Sequence, residues 1–385
     1  MAVIAIIYDI SRIFGLAMRN VISILYIVVA TLLSLWFAKQ DDRGDDLAHD
    51  EEISIESEEP ITTDTIRLMF GGDLMQHMPQ ISAARQSDGS YDYTSSFEYV
   101  TPLFRDADIA VLNLETTINT SGHYSGFPLF AAPPAIADAM VDMGIDIALL
   151  ANNHCCDRYG KGINSTIDEL GKRKIAHAGV YKDSIDYVDN NIQYFECKGV
   201  KFALLNYTYG TNGMPIPKGR IVNLIDTTII KRDLRSIPRD STDCIIACMH
   251  WGIEYERKAN REQRALADML RREGVDIIIG SHPHVIQPYE TDSTHVVYYS
   301  LGNLVSNQRW RHSDGGLLAE VEVIRCDTVD HLRYNTTPHP VWVLLPGYRV
   351  LPRSVGDTLM MSASLREQYP VYNQFMSDTD KLLGL

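Results

Sequence analysis

Residues 274–288 read GVDIIIGSHPHVIQP. The run from Val275 to Ile279 is short, apolar but for Asp276, and rich in β-branched side chains, which suits a strand buried on both faces. It breaks off into two histidines one residue apart, His282 and His284. One His-x-His pair decides nothing by itself. The apolar run with a polar ending recurs. TIRLMFGGD (65–73) ends in Asp73, ADIAVLNLE (107–115) in Asn113 and Glu115, GIDIALLANNH (144–154) in Asn152, Asn153 and His154, and DCIIACMHWG (243–252) in His250. Helical stretches precede two of these runs. PPAIADAMVDMG (133–144) has prolines at its start and Gly144 at its end; NREQRALADMLRREG (260–274) sets Leu266, Met269 and Leu270 on one face and stops at Gly274. Helix, glycine, apolar strand and polar loop in succession predict an α/β fold.

In open α/β sheets ligands bind beyond the carboxyl ends of the strands. Five predicted strands ending in Asp, Glu, Asn and His place a metal-binding set there. Imidazole nitrogens and carboxylates together suit zinc, manganese or iron. Asp73, Glu115, Asn153, His250, His282 and His284 suffice for two divalent ions, and a metal pair about 3.5–4 Å apart is a common device for hydrolysing phosphate esters. His154, outside that count, is then free to donate a proton to a leaving oxygen or to bind phosphate. Each residue also has an ordinary reading. Asp73 after two glycines caps a turn, Asn113 and Glu115 cap a loop, Asn152 and Asn153 suit left-handed turns, and His250 is a core histidine. His77, His123 and His177 read as solvent or loop residues. Arg257, Lys258, Arg261 and Arg264 form either a basic rim near His250 or a solvated helix face.

The chain has 385 residues, 45% of them apolar, enough for one large domain or two smaller ones. Its formal net charge of −15 argues against nucleic-acid binding, and no Lys/Arg-rich block is present. Six cysteines contain no CxxC, so no thiolate zinc site is suggested; Cys244 and Cys248 read as small core hydrophobes. Residues 21–38, VISILYIVVATLLSLWFA, are uncharged and apolar over nearly the length that a bilayer core requires. Arg12 and Arg19 precede them and an acidic stretch follows, which predicts a single-pass anchor over 1–39 with its N-terminus inside and the main domain outside, a cleaved signal peptide being the competing reading. Residues 40–64 read as a solvated tether, because their composition cannot bury a core.

Several stretches resemble the capsule-biosynthesis family of the CapA, poly-gamma-glutamate type, itself similar to calcineurin-like metallophosphoesterases. They are FGGDLM (70–75), LNLETTI (112–118), ANNHCCDRYGKGINST (151–166), the long run MHWGIEYERKANREQRALADMLRREGVDIIIGSHPHVIQP (249–288) and YYSLGNLVSNQ (298–308). The resemblance implies a four-layer αββα sandwich, here over 65–325; beyond it the β-like run HPVWVLLPGYRVL and the helical tail read as a C-terminal strand and helical extension over 326–385. The resemblance also implies a bacterial inner-membrane setting and a capsule-synthesis role, with a polymer ligase and membrane subunits as partners. By the matching motifs, the six ligand candidates hold a divalent metal, His154 and Asp157 are catalytic, and Asn113, Asn152, Trp251, Glu254, Tyr255 and Asn303 line the substrate pocket. Two departures stand out. Met75 occupies the place where phosphoesterases carry the histidine of Asp-x-His, and Ala131 stands where the capsule family often has an arginine. A metal-dependent hydrolase, a non-catalytic component of a polymer-synthesis complex, and a phosphodiesterase or nucleotidase unrelated to capsule are the functions left open.

Overall fold

The computed structural model describes residues 63–326 and 331–385. The anchor expected over 21–38, and all but the last two residues of the tether, lie outside them. Among the described residues no helix is long and apolar enough to cross a membrane. Regular structure starts at Thr63, two residues before the expected domain start.

The chain lays down one sheet, leaves it for a second, and returns. β1 (Thr63–Leu74), β2 (Ile109–Leu114), β3 (Ile147–Leu149) and β4 (Ala176–Ala178) lie parallel, side by side. β5 (Val180–Tyr181) pairs outside both large sheets with β8 (Ile221–Val222). The second sheet takes β6 (Gln193–Cys197), β7 (Val200–Thr208), β9 (Cys244–His250), β10 (Ile277–Ser281), β11 (Tyr289–Thr291) and β12 (Val296–Tyr298), in the order β11-β12-β10-β9-β7-β6. β13 (Asn303–Val305), β14 (Gly315–Cys326), β15 (Arg333–Leu344) and β16 (Arg349–Pro352) complete the first, giving β16-β15-β14-β1-β2-β3-β4 with β13 on the end of β1. The five strands predicted from their polar endings are thus divided: β1, β2 and β3 in one sheet, β9 and β10 in the other.

Burial explains the layering. Side chains alternate across each parallel strand, and both faces are covered. Ile66, Leu68 and Phe70 of β1 meet Phe202, Ile246 and Ile279 of the other sheet in the core between them. Met69, Leu112 and Ala148 turn the opposite way, against Ile136 and Met140 of helix Ala135–Met143 and Ile163 of helix Tyr159–Lys172. Ala247 and Ile278 face Ile230 and Leu270, on the helices Thr227–Ser236 and Arg261–Arg272. The result is a mixed α/β sandwich of two facing sheets with helices outside. Cys244 and Cys248 sit in the inter-sheet core, as small hydrophobes.

Local signals set the helix ends. Asn260 accepts a hydrogen bond from Gln263 N at 2.8 Å, and Gln263 Oε1 accepts one from Asn260 N at 2.9 Å, a reciprocal cap that starts the helix leading into β10. Gly274, at φ 85°, closes it in a left-handed turn. In the C-terminal strand and helical extension, β15 and β16 extend the first sheet, and Tyr372, Phe375 and Met376 of helix Tyr369–Leu383 join the inter-sheet core. One expectation needs correction. His177 is not a solvent residue: it is buried on β4, with Nε2 3.2 Å from Asp186 Oδ1. His123 is exposed, as read.

Candidate metal centre

The parallel strands of both sheets bring their carboxyl ends to one place. In register, Asp73 stands opposite Asn113 of β2 and Asn303 of β13, while His250 stands opposite Thr208 of β7 and Ser281 of β10. Gly72 makes the first contact possible. A Cβ there would lie 2.1 Å from the carbonyl oxygen of Gly302, so only glycine lets β1 approach closely enough for Asp73 N to donate to that oxygen at 2.9 Å.

Asp73, Glu115 and His284 offer ligand atoms all within 4.8 Å of one another, and Glu254, His282 and His284 form a second such group. His284 Nδ1 lies 3.1 Å from both Asp73 Oδ2 and Asn303 Oδ1. A proton on Nδ1 serves either oxygen and leaves Nε2, 3.7 Å from Glu115 Oε1, as the ligand atom. His250 Nε2 lies 2.8 Å from Asn153 Oδ1 and 3.8 Å from Glu115 Oε1. Five of the six proposed ligands therefore adjoin one another through Asp73, Glu115, His284, His250 and Asn153. The sixth, His282, sits with its ring centroid 4.9 Å from that of His250.

A cation fits this set. Glu115 is fully buried, and its Oε1 has no hydrogen-bond partner; His282 Nδ1 is likewise buried without one. Buried polar atoms are normally satisfied, so two unsatisfied ligand atoms facing one cluster mark a missing partner. Burial, and then Asp73 beside it, hold the Glu115 carboxyl well above the usual carboxylate range. Burial, then the neighbouring His282, hold His250 well below its ordinary value; burial and His284 push His282 down to about 3. Those two imidazoles are thus neutral and able to ligate at physiological pH. His282 and His284 adopt φ of 99° and 57°, a left-handed backbone rare outside glycine. Strain of this kind persists where the surroundings impose it, as at binding sites.

His154 and Asp157 form a second unit beside the first. His154 Nδ1 and Asp157 Oδ2 are 2.8 Å apart, and the same oxygen accepts from Phe130 N at 2.6 Å. Phe130 also presents its face or edge to the imidazole at 4.6 Å. Asp157 thereby fixes the ring and leaves Nε2 turned toward Asn212, so that Asp157 acts on the site through His154. Cys155 and Cys156, next in sequence, are buried with their sulfurs 3.8 Å apart.

Four residues expected at the substrate pocket are buried supports instead. Asn113 Nδ2 donates to Asp73 Oδ1 at 2.7 Å and bridges toward Glu115, holding two carboxylates side by side. Asn152 donates to Leu114 O at 2.9 Å and accepts from His154 N at 3.2 Å, shaping the turn that carries His154. Asn303 ties His284 to Ser313 O, 2.8 Å from its Nδ2. Trp251 faces the outer core of the second sheet, where Nε1 donates to Tyr299 O at 2.9 Å. Glu254 and Tyr255 remain exposed beside the site; the Tyr255 ring centroid is 6.1 Å from that of His284.

The structure adds three residues. Tyr209, just past β7, places its ring 4.4 Å from His282. Asn212 Nδ2 lies 3.5 Å from His154 Nε2, and its Oδ1 accepts from Asn153 Nδ2 at 3.2 Å. β7 has the same apolar-run-then-polar pattern, VKFALLNYTYGTN, as the strands first recognised, so the signal was available. His77, read as a loop residue, is half-buried against Phe130 at 5.0 Å, and burial lowers it to about 4. No spacing rule marks it.

Known proteins resemble the chain along the same span. It is 28% identical over 281 residues to the PGA biosynthesis protein CapA of Bacillus subtilis, covering 71% of each. It is 27% identical over 295 residues to the capsule biosynthesis protein CapA of Bacillus anthracis, covering 74% of this chain and 67% of that one. Among solved structures, the NAD nucleotidase of Haemophilus influenzae aligns with a TM-score of 0.43 at 12% identity, over 83% of this chain and 61% of that one. The profile of the bacterial capsule synthesis protein family PGA_cap matches residues 67–308, which take in every proposed ligand, and the chain belongs to that family.

Proposed function

We propose that this protein is a metal-dependent hydrolase acting in the biosynthesis of an acidic, poly-gamma-glutamate-type capsule polymer. We also propose that residues 21–38 anchor it in the bacterial inner membrane, beside a polymer ligase and its membrane subunits. The observation that carries the enzymatic reading is the convergence of Asp73, Glu115 and His284 within 4.8 Å, with Glu115 Oε1 buried and unpartnered. Asp73, Glu115, Asn153, His250, His282 and His284 would hold a divalent metal, with Glu115 placed among the others. Zinc, manganese or iron bound there would activate water and offset charge on the oxygens of a phosphoryl or acyl centre. His154, oriented by Asp157, would pass a proton from Nε2 to the leaving atom.

Metal content of the full chain, measured beside a His282→Ala/His284→Ala variant, tests this reading. Both are assayed on a chromogenic phosphodiester with added manganese or zinc. Near-stoichiometric metal and turnover in the parent, both lost in the variant, are expected. A folded parent that takes up no metal and turns over nothing defeats it. Met75, buried in place of the expected Asp-x-His histidine, favours a second reading as a non-catalytic component of the same assembly, and that result would select it.

A further inference from the structure

ANNHCCD (151–157) sets two cysteines side by side, between Asn153 and His154 on one hand and Asp157 on the other. Neither thiol has a part in the chemistry described above. The chain turns throughout this stretch. Cys155 N donates to Asn152 O at 3.3 Å, and Asp157 N donates to His154 O at 3.2 Å. Both bonds are at the long end of the normal range, so the backbone holds this turn loosely. Side chains hold it more closely. Asn152 Nδ2 donates to Leu114 O at 2.9 Å, Asn153 Oδ1 lies 2.8 Å from His250 Nε2, and His154 Nδ1 lies 2.8 Å from Asp157 Oδ2. The last of these contacts spans the two cysteines.

The turn brings the Cys155 and Cys156 sulfurs to 3.8 Å. A disulfide requires about 2.0 Å, a short further approach. Cys155 lines a small cavity with Leu114, Leu150, Ile163 and Val180, which gives its sulfur room to swing. Cys155 is 7% exposed and Cys156 not at all, so a protein oxidase is barred while peroxide, a molecule little larger than water, is admitted. We propose that Cys155 and Cys156 are a modification site, closing under peroxide into a reversible vicinal disulfide that displaces His154 from Asp157. Peroxide oxidises the Cys155 sulfur to a sulfenic acid and is reduced to water. The Cys156 sulfur then attacks that sulfur; the S–S bond forms, the S–O bond breaks, and hydroxide leaves with the Cys156 proton as a second water. Two thiols and one peroxide thus give one disulfide and two waters. Neighbouring Cα atoms stand about 3.8 Å apart across a trans peptide, closer than the roughly 4.4–6.8 Å usual for disulfides, so the bond is strained and a dithiol readily reverses it. The turn must tighten around the new ring, and the His154–Asp157 contact across it gives way. The inference rests on the hydrolase reading only for its effect on turnover.

The test treats the full chain with hydrogen peroxide and maps its cysteines by mass spectrometry, before and after addition of a dithiol. The peptide that carries Cys155 and Cys156 should lose two hydrogens and regain them with the dithiol. The His154 ring resonance, assigned with His154→Gln, should shift and return in step. Hydrolysis of the small phosphodiester should fall at least about tenfold in the oxidised protein, as a misplaced proton donor predicts. Cys155→Ala and Cys156→Ala, each enough to prevent the bond, should show neither the resonance shift nor the loss of turnover. Cys197→Ser/Cys326→Ser, which keeps the pair, should respond as the parent does. Oxidation of the half-buried Cys197 while the pair stays as thiols in a folded chain overturns the inference. So does a Cys155–Cys156 bond that leaves the His154 resonance and turnover unmoved. If the bond forms and the resonance shifts but neither state turns over substrate, the modification stands and the hydrolase reading alone falls.

Discussion

At the scale of residues, three side chains carry opposite demands. Glu115 is buried beside Asp73, so the metal-free protein must keep it protonated or bear an unpaired charge. Its raised value contributes stability that is present at low pH and lost as pH rises through it. Glu115→Gln should therefore raise the melting temperature of the chelator-treated protein at pH 7 and lower that of the metal-loaded one; thermal melts with and without chelator show the crossover. His282 and His250 act the other way. Their depressed values contribute stability above 6.5 that is lost as pH falls, and for His282 the window runs down to about 3. Within that window the metal-free protein should lose up to about 1.4 kcal/mol per pH unit through His282, with His250 adding loss in the same direction, read by denaturant titration at pH 6.5, 5.5 and 4.5. His154→Ala should cut turnover by about 10²–10⁴ with metal content intact, and Asp157→Asn should cut it through the lost orientation of the ring. Residue types were legible in the sequence; partners were not. Asn113 and Asn303 were placed at the pocket by their position in the matching motifs, which carries no record of partners; their amides are consumed by Asp73, His284 and Ser313.

The elements deliver those residues by close approach of backbones. β1 must pass against Gly302 to set Asp73 beside Asn303, and Gly72 leaves no room for a methyl group. Gly72→Ala should destabilise by about 1–3 kcal/mol and reduce metal uptake, through displaced strands with every ligand still present. Denaturant melts and metal analysis of that variant check both. The strands were readable because parallel strands covered on both faces leave continuous apolar runs, each closed by its polar loop. Their division between two sheets was not, since a run such as Cys244–Met249 looks the same whichever sheet it joins. The helix Tyr369–Leu383 was legible as a helix but not as a core element: Tyr372, Phe375 and Met376 are buried, with Leu382 and Leu383 packed partly buried beside them, and that spacing alone does not say which sheet they cover.

For the whole molecule, the centre draws carboxylates from the first sheet and imidazoles from the second. A metal bound there links both halves of the sandwich, so it should raise the melting point of the domain as one transition. At a metal concentration 100 times Kd the gain is about 2.7 kcal/mol by mass action. Calorimetry with and without manganese or zinc would show a single shifted peak; two peaks, only one moving, would contradict the linkage.

The order of strands sets a timetable for the newborn chain. β1 acquires β2 early, but its other long neighbour, β14, lies at residues 315–326, near the far end of the sequence. Asn303, which steadies His284, also comes late. A chain emerging from the ribosome or a translocation channel thus carries Asp73 and Glu115 through most of its synthesis with an open sheet edge and no histidines to complete the site. On the proposed metal-dependent reading, loading would belong to the finished polypeptide, and the supply in whatever compartment holds it then would select the ion.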